Sequence, residues 1–325
     1  MIGACFAVVF GLVVLTYGAD RFVVGAAATA RNLGVSTLII GLTVVGFATS
    51  APEMITAADA AWAGNPAISI GNALGSNIAN MGLVLGLTAL LRPLQLHSRI
   101  LKREYPIMFA AMGVALVLMS DGALGRVDGA ILALGMVATM LTTVWLGTRS
   151  RPADPLVREF EQVAPVPMST LRSTLLIMLG LIVMLGGAHL LVWGGVQIAT
   201  LLGVSELVVG LTIVAVGTSL PELAASLMSG FKGEPEIAIG NVIGSNMFNM
   251  LGVLCLPGLI DPGEFPGEVL TRDFPTMIGL SFLMFVTSFG FRGPGQINRY
   301  EGLMLFCAFC AYQWFLCLSP TGKVA

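Results

Sequence analysis

Long apolar runs occupy most of this 325-residue sequence, and they restrict its fold more than any other feature. As helices, ten of them are long enough to be spans of a hydrocarbon layer about 30 Å thick. A backbone inside lipid must satisfy its own hydrogen bonds, so such runs predict an all-α integral membrane protein. The predicted spans are residues 2–30, 36–62, 67–91, 104–119, 127–148, 172–202, 205–231, 236–260, 274–290 and 302–318.

Charged residues are too scarce to cover a water-soluble surface. They make up 10% of the sequence, against about 25% in soluble domains. The net charge of −2 and the scattered Lys and Arg residues exclude nucleic acid as a partner and leave the lipid bilayer. The cysteines lie in apolar runs, so Cys307-x-x-Cys310 is interpreted as packing. The sequence predicts neither a cofactor nor an enzyme.

Lys and Arg residues also predict the orientation of the spans, because loops rich in them stay on the cytoplasmic side. With the N-terminus outside, twelve of these residues fall in inner loops and three, Arg126, Arg272 and Lys323, fall in outer ones. Both termini are therefore predicted to lie outside. Residues 1–18 follow no basic residue and show no cleavage site, so they are predicted to begin a first span rather than a removed signal.

The sequence contains an internal repeat. Residues 41–87 match residues 210–256 at a constant offset of 169, with 22 of 47 positions identical. A segment with four prolines, residues 150–171, is predicted to be a cytoplasmic linker between a five-helix repeat, 1–149, and a second, 172–325. An odd number of spans inverts the second copy, which is a construction typical of secondary transporters.

Each repeat carries one acidic motif inside an apolar run, Gly46–Glu53 (GFATSAPE) and Ala215–Glu222 (AVGTSLPE). A carboxylate within a span is costly, so its default interpretation is functional. The alternative is a structural ion pair, but no Lys or Arg occurs from 32 to 91 or from 173 to 231. We interpret both glutamates as cation ligands.

Proline and glycine are expected to shape the backbone around these glutamates. Pro52 and Pro221 lack an N–H and predict a helix break just before each acidic residue. Glycines in the next run of each repeat are expected to let backbones approach closely. These glycines are Gly71, Gly75, Gly240 and Gly244.

Polar residues recur four positions apart in the same two runs, which places them along one face of each helix. Such residues could serve only as glue between helices. Their repetition beside a duplicated carboxylate favours a shell of hard oxygen ligands, which suits calcium better than copper or zinc. The residues are Asn72, Ser76, Asn80, Asn241, Ser245 and Asn249.

With these motifs, the chain resembles the sodium/calcium exchanger family of the cation/calcium antiporter superfamily, bacterial members in particular. The resemblance covers all spans and rests on T-S-x-P-E followed by G-N-x-x-G-S-N-x-x-N, twice. It implies that sodium and calcium compete for one site, which sliding of the first and sixth helices exposes to each side in turn, and it implies broken second, third, seventh and eighth helices. It also implies a monomer in a bacterial inner membrane. The implied metal ligands are Glu53, Glu222, Ser50, Ser219, Ser76, Ser245 and Asn80, with carbonyls of Gly46, Ala215, Thr49 and Thr218.

Two positions depart from the family pattern. Asn249, which we include in the predicted metal site, stands where several relatives, including the potassium-dependent branch, carry Asp. The site then has two carboxylates, which predicts exchange without potassium. Ala48 replaces the usual glycine, so a less pliable break is expected there. The linker of 22 residues is too short for the regulatory insert of animal members, and no regulatory domain is predicted.

Other functions stay open. The two carboxylates could carry protons, which would make a calcium/proton antiporter, and a cation channel is a weaker alternative. Asp20 and His189 occupy matching repeat positions and could pair or reach toward the cytoplasm. Asp59 should not share the face of Glu53 and is expected to lie at a mouth of the protein.

Overall fold

The computed structural model describes residues 1–96, 98–149, 168–202, 215–288 and 295–318. The remaining residues include His97, most of the predicted linker and residues 205–214 of the predicted seventh span. Helices make up nearly all of the described chain. In chain order they are α1 (Ile2–Leu33), α2 (Thr37–Trp62), α3 (Pro66–Leu91), α4 (Ser98–Leu118), α5 (Arg126–Arg149), α6 (Thr170–Leu201), α7 (215–231), α8 (Pro235–Ile260), α9 (Val269–Ser288) and α10 (Arg299–Leu318).

These helices follow the predicted spans closely. Most ends agree within three residues, but α4 and α9 begin earlier, because a helix can continue beyond the apolar run into charged turns such as Lys102–Glu104. Seven of the described helices are long and apolar enough to cross a membrane: α1, α2, α3, α5, α6, α8 and α9. The described parts of α4, α7 and α10 are helical without meeting that measure, so ten spans stay a prediction.

The all-α prediction omitted four short strands. β1 (Leu94–Leu96) pairs antiparallel with β4 (Gly295–Ile297), and β2 (Ala123–Leu124) pairs antiparallel with β3 (Gly263–Glu264). Backbone groups in the segments between helices need partners, and strand pairing supplies them. Each pair joins a segment from before the predicted linker to one from after it.

The two predicted breaks before the glutamates are present. In α2 the helix stops at Thr49 and restarts at Ala51, with Ser50 at φ −80° and ψ 0°. In α7 the interruption falls at Ser219, at φ −86° and ψ 3°. Pro52 and Pro221 follow within the first turn of each new segment, where a missing N–H costs no hydrogen bond.

The predicted breaks in α3 and α8 are wrong. Both helices continue, but each widens into a π-helical segment, Asn80–Leu85 in α3 and Asn249–Val253 in α8. Neither helix has a proline just before this segment, so nothing prevents the backbone hydrogen bonds from continuing. A π segment accommodates one extra residue in a turn and is frequent at functional sites. Here it begins at a predicted site residue in both helices.

α1 and α6 pack antiparallel along their lengths through glycines spaced seven residues apart. Gly11 faces Leu191, Gly18 faces Met184 and Gly25 faces Ile177. A Cβ atom at any of these glycines would come within 3.0 Å of the backbone of the partner helix. On α6, the equivalent glycines are Gly180, Gly187 and Gly194, which face Phe22, Leu15 and Val8 of α1.

The core lies around α3 and α8, which are the most buried spans in the described chain. Methionines are prominent in it, including Met81, Met108, Met250 and Met277, each with no exposed surface. Their flexible thioether chains fill irregular space between helices. The broken helices α2 and α7 lie against this core, so the predicted site residues are enclosed by it.

Candidate cation site

The two motif glutamates lie buried in the structure, each 1% exposed. Each lies in the first turn of the helical segment that follows its break, where the helix dipole favours a negative charge. The two carboxylates are close enough to repel each other electrostatically. By distance and angle, none of the four oxygens of Glu53 and Glu222 makes a hydrogen bond to a described residue, although the Thr49 hydroxyl lies near the Glu222 carboxylate. Burying such a pair without a counter-charge is costly, which favours a bound cation or a proton at the pair.

A structural ion pair does not explain these carboxylates. In the described part of the chain, the ion pairs between helices join Arg31 to Glu234 at 3.3 Å and Lys232 to Asp20 at 2.6 Å. The others join neighbours in sequence, such as Arg272 and Asp273. No ion pair within the described ranges involves either motif glutamate.

Polar atoms without partners concentrate at the predicted site residues. Besides the four carboxylate oxygens, they include the hydroxyls of Ser50 and Ser219 at the two breaks and the side-chain oxygen of Asn80. Both amide atoms of Asn249 belong to the same group. Because buried polar groups in proteins are nearly always hydrogen-bonded, such a concentration points to a ligand. The donor set is made of oxygens, which suits sodium and calcium.

The break in α2 lies directly against α8. The Thr49 hydroxyl is 3.0 Å from the Asn241 side-chain oxygen and 3.3 Å from the Ser245 hydroxyl. Ser245 in turn donates a hydrogen bond to the carbonyl oxygen of Gly46 at 3.3 Å. Gly46 and Thr49, whose carbonyls were predicted as ligands, are thereby brought against Ser245, a predicted side-chain ligand from the other half of the sequence.

The remaining predicted ligands lie on the same elements. Ser76 is buried on α3, 5% exposed, and Thr218 lies at the end of the segment that precedes the α7 break. Ala215 is the first described residue of that segment. The structure gives no distance that joins these three residues to the carboxylates.

Asn72 and Asn241 hold the backbone of the glutamate turns. The Asn72 amide donates to the carbonyl oxygen of Glu53 at 3.1 Å, and the Asn241 amide donates to that of Glu222, also at 3.1 Å. Asn241 donates in addition to the Ser226 hydroxyl at 2.9 Å. Both amides thereby fix the backbone of the glutamate turns, and the side-chain oxygen of Asn241 accepts a hydrogen bond from Thr49.

The expected close approach at glycines is seen at Gly240 and Gly244. Their Cβ positions lie against the backbone of residues 38–42 in α2. For Gly71 and Gly75, the equivalent neighbours at the offset of 169 are residues 207–211, which lie outside the described residues. The close approach of backbones at Gly71 and Gly75 therefore stays a prediction.

Sequence reasoning missed Asn77 and Asn246, the asparagines of the two G-S-N triplets. Both have no exposed surface. Asn77 donates to the backbone oxygen of Asn246 at 3.3 Å, and Asn80 donates to its side-chain oxygen at 3.2 Å. The sequence did carry a signal, because the two asparagines are identical residues at the repeat offset of 169. They were not selected because neither belongs to the series of polar residues four positions apart.

The ambiguous acidic residues lie away from the carboxylate pair. Asp20 pairs with Lys232 at 2.6 Å and with Arg21 at 3.6 Å, and His189 is exposed further along α6, so the suggested pairing of Asp20 with His189 is wrong. The antiparallel packing of α1 and α6 separates the two residues. Asp59 is exposed, as expected. Within the described ranges, no three His, Cys, Asp or Glu side chains lie close enough together to hold a metal ion.

The sequence matches a known family along most of its length. The family model described as "Sodium/calcium exchanger protein" matches residues 3–145 and 172–318. Inner membrane protein YrbG of Escherichia coli (strain K12) is 39% identical over 96% of this chain and 96% of its own length. Sodium/calcium exchanger MaX1 of Methanosarcina acetivorans is 31% identical over 93% of this chain and 95% of its own length.

The fold agrees with these matches. The solved structure of the sodium-calcium exchanger NCX_Mj soaked with zero Na+ and Ca2+ superimposes with a TM-score of 0.83 at 32% identity. That match covers 97% of this chain and 99% of the other. Members of this family are membrane transporters, not enzymes in the catalytic sense. On the family model, the relatives and the fold together, the chain belongs to the sodium/calcium exchanger protein family.

Proposed function

We propose that this protein is a secondary antiporter that exchanges sodium for calcium through one site shared by both ions. The observation that carries the proposal is the buried pair of Glu53 and Glu222, whose oxygens have no hydrogen-bond partner among the described residues. Relatives and structural neighbours named as sodium/calcium exchangers support the same assignment.

Two carboxylates match the charge of one calcium ion. Calcium takes about six to eight oxygen ligands in proteins, and the unpartnered hydroxyls of Ser50 and Ser219 and the oxygen of Asn80 add to the carboxylates. Sodium is bound by the same kind of oxygen, including backbone carbonyls at broken helices. The full proposed set is Glu53, Glu222, Ser50, Ser219, Thr49, Thr218, Ser76, Ser245, Asn80, Asn249, Gly46 and Ala215.

Coupling follows from the electrostatics of the pair. Two buried carboxylates without cations repel each other, so the empty site resists enclosure. One calcium ion or several sodium ions relieve that repulsion and allow the site to close and reopen on the other side. If three sodium ions exchange for one calcium ion, each cycle moves one net charge, and the rate responds to membrane potential.

We propose ten spans in two inverted repeats, 1–149 and 172–325, with both termini outside, acting as a monomer in a bacterial inner membrane. Equivalent contacts in the two halves support the repeats. Asn72 donates to the backbone of Glu53 as Asn241 donates to that of Glu222. Asn241 lies 169 positions after Asn72, and Glu222 lies 169 positions after Glu53. The π segments of α3 and α8 also begin at equivalent positions.

We further propose that exchange does not need potassium. Asn249 leaves the site with two acidic side chains, which one calcium ion neutralises without an additional cation. A third carboxylate would leave one charge uncompensated. Proton coupling is the alternative that the same experiment distinguishes.

The test is calcium uptake into proteoliposomes driven by an outward sodium gradient, repeated with a proton gradient and with potassium present. The expected result is uptake that requires sodium and is unaffected by potassium. Glu53→Gln and Glu222→Gln should each reduce sodium-driven uptake by about 100-fold or more, since each removes a charge that calcium needs.

Asp59→Asn is the matched control, because it removes a carboxylate from the same helix segment at an exposed position. Its uptake should stay within about twofold of the native rate. Calcium uptake driven by protons alone would instead support a calcium/proton antiporter. Native-like sodium-driven uptake in either glutamine variant would overturn the assignment of the site.

A further inference from the structure

The side-chain amide of Asn80 is held at one end and free at the other. Its nitrogen donates a hydrogen bond to the side-chain oxygen of Asn246 at 3.2 Å. Its oxygen is buried and has no hydrogen-bond partner among the described residues. Asn80 is 1% exposed, so water does not replace the missing partner freely. The amide therefore presents its oxygen, and not its nitrogen, to whatever occupies the site.

A sulfur atom determines which way Asn246 itself is turned. The side-chain nitrogen of Asn246 lies 3.9 Å from the sulfur of Met108. A thioether can only accept a hydrogen bond, and an amide nitrogen can only donate one. With its nitrogen directed to Met108, Asn246 turns its oxygen to Asn80. The orientation of each amide thus follows from the one before it.

The direction of the Asn80 amide decides whether it attracts or repels a cation. The terminal torsion of asparagine has two broad wells of nearly equal energy, so an unrestrained amide presents nitrogen as readily as oxygen. A nitrogen directed at a cation brings two positively polarised hydrogens toward it. Any restraint that excludes this orientation raises the fraction of protein that is competent to bind.

We propose that Asn246 is a positioning residue that orients the oxygen of Asn80 toward the transported cation, with Met108 fixing the orientation of Asn246. This inference rests on the proposed function, since it gives Asn80 a cation to bind. It adds a residue that does not touch the ion but sets the apparent affinity for it.

Among the described residues, the second half of the site shows no such chain of contacts. Asn249 is the repeat equivalent of Asn80, and neither of its amide atoms has a partner in the described part of the structure. Asn77 is the equivalent of Asn246, and its nitrogen is directed to the sulfur of Met277 at 3.4 Å and to the backbone of Asn246. The positioning contact is specific to Asn80.

The test measures calcium binding and sodium-driven uptake against calcium concentration for Asn246→Ala in two backgrounds, the native chain and Asn80→Asp. In the native background the half-saturating calcium concentration should rise about tenfold. An aspartate at position 80 has two equivalent oxygens and no wrong orientation. In that background the same substitution should change the value by less than about twofold.

Met108→Leu provides a gentler variant, because it keeps the volume and removes the sulfur acceptor. It should raise the half-saturating concentration about two- to threefold in the native background only. Met277→Leu is its matched control and should leave the value unchanged, since Met277 contacts Asn77 instead. Folded yield and thermal stability of each variant are measured alongside.

An equal change in both backgrounds, or no change in the native one, would overturn the role of Asn246. An equal effect of Met277→Leu would indicate a general packing defect and would also overturn it. These results differ from a failure of the proposed function, in which the native chain itself shows no sodium-driven calcium uptake.

Discussion

The two halves of the candidate site contain the same residues but hold them differently. Asn80 is fixed through Asn246, whereas Asn249 at the equivalent position has two unpartnered amide atoms. Duplication therefore supplies two walls of similar composition, one on α3 and one on α8, and the neighbours of each side chain decide how firmly it is held.

This difference separates the two walls. The wall on α8 carries the amide that no described residue holds, and the wall on α3 carries the amide that is fixed. Three predictions, taken from the largest expected effect to the smallest, test how the two walls are held.

Gly244→Ala should be strongly destabilising. The added methyl group at position 244 would overlap the carbonyl of Leu42, which is backbone and cannot rotate away. Overpacking of this kind costs about 1–3 kcal/mol or more. Thermal unfolding in detergent measures the loss, and an unchanged unfolding temperature would contradict the close contact between α8 and α2.

Asn249→Asp should tighten calcium binding by about tenfold, which corresponds to about 1.4 kcal/mol. The substitution adds a third negative charge at an amide that no described residue holds. Asn80→Asp adds the same charge but loses the hydrogen bond that Asn80 donates to Asn246, so its gain should be smaller. Calcium titration of the two variants, with and without potassium, provides the measurement. A larger gain at position 80 would contradict the assignment of the fixed amide.

Asp20→Asn should lower stability by less than about 1 kcal/mol. The pair with Lys232 at 2.6 Å joins α1 to the end of α7, but both side chains are more than a quarter exposed, and exposed pairs contribute little. His189 is the repeat equivalent of Asp20 and is exposed, so His189→Asn should change nothing measurable. Thermal unfolding at low and high salt checks both, since only the Asp20 effect should fall with salt.

Sequence reasoning predicted the features that single residues determine. Pro52 and Pro221 predicted the helix breaks at Ser50 and Ser219, because a proline constrains its own neighbourhood whatever surrounds it. The positions of apolar runs predicted the helices for the same reason. The burial of both glutamates followed from the length of the runs that contain them.

Features that depend on contact between distant segments were not predicted. The hydrogen bond between Asn80 and Asn246 joins residues 166 positions apart in sequence. It forms only because α3 and α8 pack against each other in this arrangement. The partner of Asp20 is likewise 212 residues away at Lys232. The π segments were not predicted either, because no proline or other single residue in the sequence marks them. A repeat offset indicates which positions are equivalent but not which of them touch.

The contact between α1 and α6 limits how these two helices can move. Along each helix, glycines alternate with large residues, so that Leu15 of α1 fits opposite Gly187, and Met184 of α6 fits opposite Gly18. Axial slip by half the seven-residue spacing, about 5 Å in a helix, would set Leu15 against Met184 and force the backbones apart. Neither helix can be displaced lengthwise along the other, so a lengthwise displacement of one must carry both.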